Sequence, residues 1–200
     1  MNDLFDKTLS QTLHFEGGYA NSAQDSGGET FRGISRVSNP NWPGWAEVDH
    51  YKRELERRDG PLNWRAKSSW RKIDEATAHD RDLAAQVEEL YHRGYWRPVE
   101  AHGFSGRLTG KLFDIAVNCG LGNMAKILQR AVNRLDHGRL SIDGSIGPKT
   151  KVAVAGLLDE GKLLAAVVAE QKAHYERGVL KKFPKARQSF MDRAAWLPED

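Results

Sequence analysis

The chain has one cysteine in 200 residues, Cys119, so an intrachain disulfide framework is excluded. Cys119 falls in the apolar phase of a helical stretch, FDIAVNCG, with no histidine beside it in sequence. It reads as a small core residue rather than a nucleophile. No window approaches the roughly 20 apolar residues needed to cross a bilayer. The N-terminus, MNDLFDKTLSQTLHFEGG, lacks the basic start and apolar run of a secretory signal, so a soluble protein made in the cytoplasm is expected. The seven histidines are scattered, and none shows the spacing of a site such as His-Glu-x-x-His. The glycine-rich run GGYANSAQDSGG has no strand before it and no Lys-Ser/Thr after it, unlike a phosphate-cradling loop. No metal or cofactor is expected. Repeats and low-complexity tracts are also missing.

What is present is an ordinary globular balance, 40% hydrophobic and 28% charged, enough for one large domain or two small ones. The net charge of +3 suits an anionic polymer, whether nucleic acid, a membrane surface or an acidic wall, but many soluble proteins carry as much. No nucleic-acid reading motif accompanies it.

Hydrophobic periodicity predicts a mainly α chain. Phe5, Leu9 and Leu13 recur at helical spacing, and Gly17-Gly18 ends that helix near Phe15 or Glu16. Residues 17–46 hold six glycines among Asn, Asp, Ser and Pro, and read as loop with room for a small hairpin. Residues 51–75 carry both charges and break at Gly60-Pro61. Trp42, Trp45, Trp64 and Trp70 lie in or beside them, either anchoring the segment to the body or offering a ring to a sugar. A helix follows over Leu83–Gly94, with Thr77 and Asp80 resembling a capping box. Others are marked by Leu108–Cys119, Met124–Leu135, Pro148 onward, Leu163–Tyr175 and Phe190–Trp196. LSIDGSIG, Leu140–Gly147, reads as a boundary or as a turn inside one domain. The expected division is 1–105 and 106–200, packed as one unit.

One constellation has the makings of glycosidic chemistry. Hydrolysis needs a carboxylic acid still protonated near neutral pH and a second group to handle water or the developing cation. Glu16 falls on the apolar stripe of the first helix and at its C-terminal end. Apolar surroundings and a negative helix end both disfavour a carboxylate. Asp25 and Thr30, nine and fourteen residues on, would face Glu16 if the loop returned over that helix end. Asp25 would position water or stabilise an oxocarbenium ion, the Thr30 hydroxyl would hold the water, and Glu29 is a rival base. Chemistry alone leaves a blander reading open, since Glu before Gly-Gly is often a mere helix end and Asp and Thr commonly bond their own backbone.

The stretch Glu16–Ser35, EGGYANSAQDSGGETFRGIS, resembles the N-terminal signature of glycoside hydrolase family 108: Glu-Gly-Gly-Tyr, an Asn/Asp-rich turn, then Gly-Gly-x-Thr-x-x-Gly-Ile. YHRGYW (Tyr91–Trp96) and FDIAVNCG (Phe113–Gly120) look like two further segments of that family. Gln129 with Asp143-Gly144, Gly147-Pro148 and Thr150 resembles its predicted peptidoglycan-binding region. The resemblance implies a lysozyme-like helical fold and muramidase activity between N-acetylmuramic acid and N-acetylglucosamine, with Glu16 as the catalytic acid. It implies peptidoglycan as partner, rather than nucleic acid or membrane, and action at the cell wall or periplasm after release by a separate route. A monomer is expected. The spacing of Glu16, Asp25 and Thr30 is also similar to the Glu–Asp–Thr arrangement of phage lysozymes. Inversion follows if Asp25 and Thr30 hold a water opposite Glu16, and retention stays open. Three departures stand out: 41–75 is longer than in the family, Arg32 replaces a common aromatic, and FPKARQSFMDRAAWL matches loosely.

Tyr19, Glu29, Tyr95 and Asn118 are candidate substrate contacts. Against this, Tyr19 fits equally as a plug behind the Gly-Gly turn, Tyr95 as core, and Asn118 as a buried amide bonding backbone. Asp114 is expected to brace a cleft loop. Two other functions share the fold: a lytic transglycosylase forming an anhydro sugar, and a non-catalytic wall-binding protein resting on Asp143–Thr150.

Overall fold

The computed structural model describes residues 3–22, 28–135 and 139–199. The architecture is mainly α, and the chain divides into two compact units: 9–92, and 1–8 with 93–200.

In the unit 9–92, the second half of helix α1 (Asp3–Glu16) leads into a three-stranded antiparallel sheet in the order β1 (Tyr19–Asn21), β2 (Glu29–Phe31), β3 (Ile34–Ser35). Tyr19 pairs with Phe31, Ala20 with Thr30, and Phe31 with Ile34. Strands this short show too few alternations to be read from sequence. Helices α2 (Gly44–Asp59), α3 (Lys67–Thr77) and α4 (Arg81–Tyr91) complete the unit. Gly60, at φ +82°, ends α2 where the Gly-Pro break predicts it. Asp80 alone caps α4, accepting from the Leu83 amide at 2.9 Å. Thr77 is the last residue of α3 and donates back to the Ile73 carbonyl at 2.8 Å, so the expected capping box does not form.

The four tryptophans of this stretch sort into two pairs. Trp42 and Trp45 are core: Trp42 stacks on Phe31 at 6.2 Å and meets Trp45 edge-on at 5.2 Å. Their indole N–H groups donate to the carbonyls of Gln86 and Asn39, which removes the cost of burying them. Trp64 and Trp70 are half-buried. Trp64 donates to Glu56 at 2.7 Å and Trp70 to the Trp64 carbonyl at 2.9 Å.

In the other unit, a π-helical turn (His92–Trp96) passes into the short α5 (Arg97–Glu100). Helices α6 (Gly106–Cys119), α7 (Leu121–Leu135), α8 (Pro148–Ala155) and α9 (Glu160–Arg177) enclose a core of Leu112, Ile115, Ile127, Leu128, Leu164 and Val167. Full burial of each such side chain contributes about 1.5–3 kcal/mol. Phe5, Trp96 and Phe113 form an aromatic trio with centroids 5.2–5.9 Å apart. Leu140–Gly147 is a turn inside this unit. The buried Gln129 amide donates to Asp143 and to the Ser145 carbonyl, and accepts from the Gly144 amide.

The chain end, α10 (Val179–Lys182) and α11 (Arg187–Ala195), is fastened by charge. Arg193 pairs with Asp114 at 2.9 Å, both buried. The Lys111 ammonium caps α11, donating to the carbonyls of Ala194 and Trp196 at 2.9 and 2.8 Å. Asp114 therefore anchors the C-terminal helix, in place of the cleft-loop role its sequence position suggests. Burial pushes Lys111 down to about 8, against the pull of Asp114. Among the described residues, no helix is long and apolar enough to cross a membrane.

Candidate active site

Glu16 is the last residue of α1, partly buried, and its surroundings follow from three glycines. Gly17 takes φ +79° and its amide closes the helix onto the Leu13 carbonyl at 3.0 Å, so the chain can turn away directly after the carboxylate. Gly18 lies against Asp74 of α3. A Cβ there would sit 2.3 Å from the Asp74 carboxylate. That carboxylate accepts the next amide, Tyr19 N, at 2.7 Å, and so holds the turn behind Glu16. Burial raises the Asp74 pKa above the ordinary carboxylate value, while the Tyr19 amide and the Arg32 charge oppose the rise.

The third glycine makes the hairpin between β2 and β3. Phe31 and Ile34 are paired, leaving Arg32 and Gly33 as a two-residue loop with φ +46° and +79°. Positive φ at both positions is the geometry that a tight hairpin with right-handed twist requires. At Arg32 it costs strain, because the residue has a Cβ. The loop is held from both sides: the Arg32 amide donates to the Gly18 carbonyl at 3.0 Å, and the Arg32 carbonyl accepts from the Tyr91 hydroxyl at 2.8 Å. A Cβ on Gly33 would fall 2.9 Å from both Cβ and Cγ of Glu16 and 2.5 Å from the Tyr91 hydroxyl. The hairpin thus packs on the stem of Glu16, and Tyr91 of α4 packs beside it.

The other described candidates have partners of their own. Thr30 is central in the sheet, with its hydroxyl 3.4 Å from the Ala20 carbonyl, on the face opposite Tyr19 and Phe31. Asp25 lies outside the described residues. Tyr19 is buried, and its hydroxyl donates to Glu29 at 2.7 Å. Burial and that carboxylate push the phenol well above its ordinary pKa. Glu29 also takes ion pairs from Lys52 at 2.8 Å and Arg36 at 2.9 Å, which commits its carboxylate to three donors and leaves it a hub of the sheet. Tyr95 packs on the core of the other unit, and Asn118 accepts a weak bond from the Cys119 thiol at 3.4 Å. Burial raises that thiol to about 11, so it stays protonated and unreactive at neutral pH. Asp74 and Tyr91 were not marked as site residues by the sequence. Both reach the Glu16 turn from helices far along the chain.

Comparison with known proteins extends this picture. Residues 9–120 match the family described as Glycosyl hydrolase 108, and residues 123–196 match the "Predicted Peptidoglycan domain". No curated protein matches significantly. Among solved structures, that of Brucella abortus SagA superimposes with a TM-score of 0.62 at 21% identity, over 97% of this chain and 92% of that one. This likeness concerns the fold, and the helical architecture is consistent with a lysozyme-like one. With more than half its length matched and the Glu16 turn inside the matched region, the chain belongs to the glycosyl hydrolase 108 family.

Proposed function

We propose that the protein is an N-acetylmuramidase: it hydrolyses the peptidoglycan glycan strand between N-acetylmuramic acid and N-acetylglucosamine, with Glu16 as general acid. The family is one of glycosidases, and the second matched region points to peptidoglycan as the polymer. The observation that carries the residue assignment is the enclosure of the Glu16 stem by the Gly33 hairpin. A carboxyl at a negative helix end, steadied by packing along its methylenes, is suited to deliver a proton to one fixed oxygen.

In this reading Glu16 passes its proton to the glycosidic oxygen as the C1–O bond breaks. A water adds to C1 and gives its proton to the Asp25 carboxylate, and solvent exchange returns a proton to Glu16. Asp25 and the Thr30 hydroxyl are the proposed holders of that water, which would give inversion. Asp74 and Tyr91 act through the turn, as positioning residues. In this reading the protein acts at the cell wall or periplasm, reached by a separate release route. The test is clearing of purified peptidoglycan. Glu16→Gln is expected to lose about 10²–10⁴-fold in rate, and wild-type clearing by that variant would remove Glu16 from the mechanism.

A further inference from the structure

The Trp-rich stretch includes a pocket of about 510 Å³ lined by Tyr19, Lys67, Trp70, Arg71 and Asp74. Four of the five fall at positions i, i+3, i+4 and i+7 of α3 and therefore share one face of that helix. Two walls are fixed. Trp70 is held by its indole bond to the Trp64 carbonyl, and Asp74 by the Tyr19 amide. The two cations differ from most on this unit. Lys52 and Arg36 are spent on Glu29, and Lys72 and Arg58 on Asp59. Lys67 and Arg71 have neither an ion pair nor a hydrogen bond among the described residues.

The pocket is also near the proposed catalytic carboxylate. Tyr19 follows Glu16 by three residues, so their Cα atoms are at most about 11 Å apart whatever the path. Asp74 holds the turn that joins them. A peptide-free glycan strand offers these two cations one lactyl carboxylate per muramic acid. When the lactyl group carries its short acidic peptide, several carboxylates stand in place of that one.

Resting on the muramidase reading, we propose that this pocket is the subsite for the peptide branch of the substrate. Lys67 and Arg71 take its carboxylates, and Trp70 and Tyr19 form the walls on which its apolar atoms lie. Exposed ion pairs each contribute little, so two of them correspond to a preference of about five- to tenfold for peptide-bearing over peptide-free strands.

The experiment is isothermal titration of the Glu16→Gln protein with two soluble fragments, the disaccharide tetrapeptide and the same disaccharide without peptide. The titration is repeated after Lys67→Glu/Arg71→Glu and after the milder Lys67→Gln/Arg71→Gln. The expected result is tighter binding of the peptide-bearing fragment by about fivefold or more, a ratio reduced by the Gln pair and abolished by the Glu pair. Equal binding of the two fragments by the parent, no binding of either, or a ratio unmoved by charge reversal overturns the subsite. Turnover of peptide-bearing strands by wild type is measured alongside. Turnover with a ratio of one refutes the subsite and keeps the muramidase. A charge-dependent ratio without turnover refutes the muramidase and keeps the subsite.

Discussion

Gly33 leaves open the space that the Glu16 stem fills: a Cβ at Gly33 would lie 2.9 Å from Cβ and from Cγ of Glu16. The hairpin and the carboxylate are therefore one packing unit, and a substitution in a loop reaches the proposed acid directly. Gly33→Ala must place a Cβ at φ +79° and push against both Glu16 and Tyr91. Left-handed backbone strain costs about 1–2 kcal/mol, and an ångström-scale displacement of a reacting group costs about 10²-fold in rate. Peptidoglycan turnover by Gly33→Ala is expected to fall by about that factor while the variant stays folded. Full activity would mean that Glu16 tolerates displacement and that the packing is incidental.

Tyr91 offers a gentler probe of the same unit. Its hydroxyl donates to the Arg32 carbonyl at 2.8 Å, holding a loop in which Arg32 has positive φ. Tyr91→Phe keeps the ring and leaves that carbonyl unbonded, at about 1 kcal/mol in stability. The expected kinetic result is a lower kcat with little change in KM, since the acid is loosened rather than the binding surface removed. An unchanged kcat contradicts the positioning role.

Gly18 and Asp74 should be coupled. In wild type, Gly18→Ala drives a methyl onto the Asp74 carboxylate, 2.3 Å from an ideal Cβ, and threatens the bond to the Tyr19 amide. In an Asp74→Ala background the methyl has room. Denaturant melts of the four proteins are expected to show a double-mutant coupling of about 1–2 kcal/mol. Additive effects would show that Asp74 does not hold the turn.

The C-terminal anchor gives a pH prediction. Lys111 titrates near 10.5 when unfolded and near 8 when folded, because burial disfavours its charge. Between these values the unfolded chain binds the extra proton, so stability rises with pH across the window. Lys111→Met lacks this titration. The stability of wild type relative to Lys111→Met is therefore expected to increase from pH 8 to 10.5, by about 3 kcal/mol at full effect. A difference flat across that range would mean that the capped carbonyls hold the ammonium charged.

Arg193 should be indispensable to the same anchor. Its pairing with Asp114 is buried on both sides, and removing one partner of such a pair costs about 3–5 kcal/mol. Arg193→Met is expected to lose about that much, and Asp114→Asn on top of it to cost far less than it does alone. Independent losses would contradict the pairing.

Helix α1 and the position of Glu16 at its end were legible in the sequence because Leu9, Leu13 and the Gly-Gly stop are local signals. A small hairpin within 17–46 was also legible, but its turn at Arg32-Gly33 was not, since its strands have two or three residues and one turn position carries an arginine. Asp74 was hidden by distance and by a charged stretch that reads as solvated surface, although it bonds the amide three residues after Glu16. Arg193 sits in a C-terminal segment that reads as a loose match in sequence, yet it closes the buried ion pair with Asp114. Glu29 read as a rival base because a lone carboxylate in a loop carries no sign of the three donors that occupy it.

The most direct test of the account is mass spectrometry of the products released from purified peptidoglycan, with wild type beside Glu16→Gln. Reducing-end muramic acid from wild type, and none from the variant, is the predicted result. An anhydro-muramic product, lighter by one water, would contradict hydrolysis and make the enzyme a lytic transglycosylase. Equal product from both proteins would contradict the assignment of Glu16.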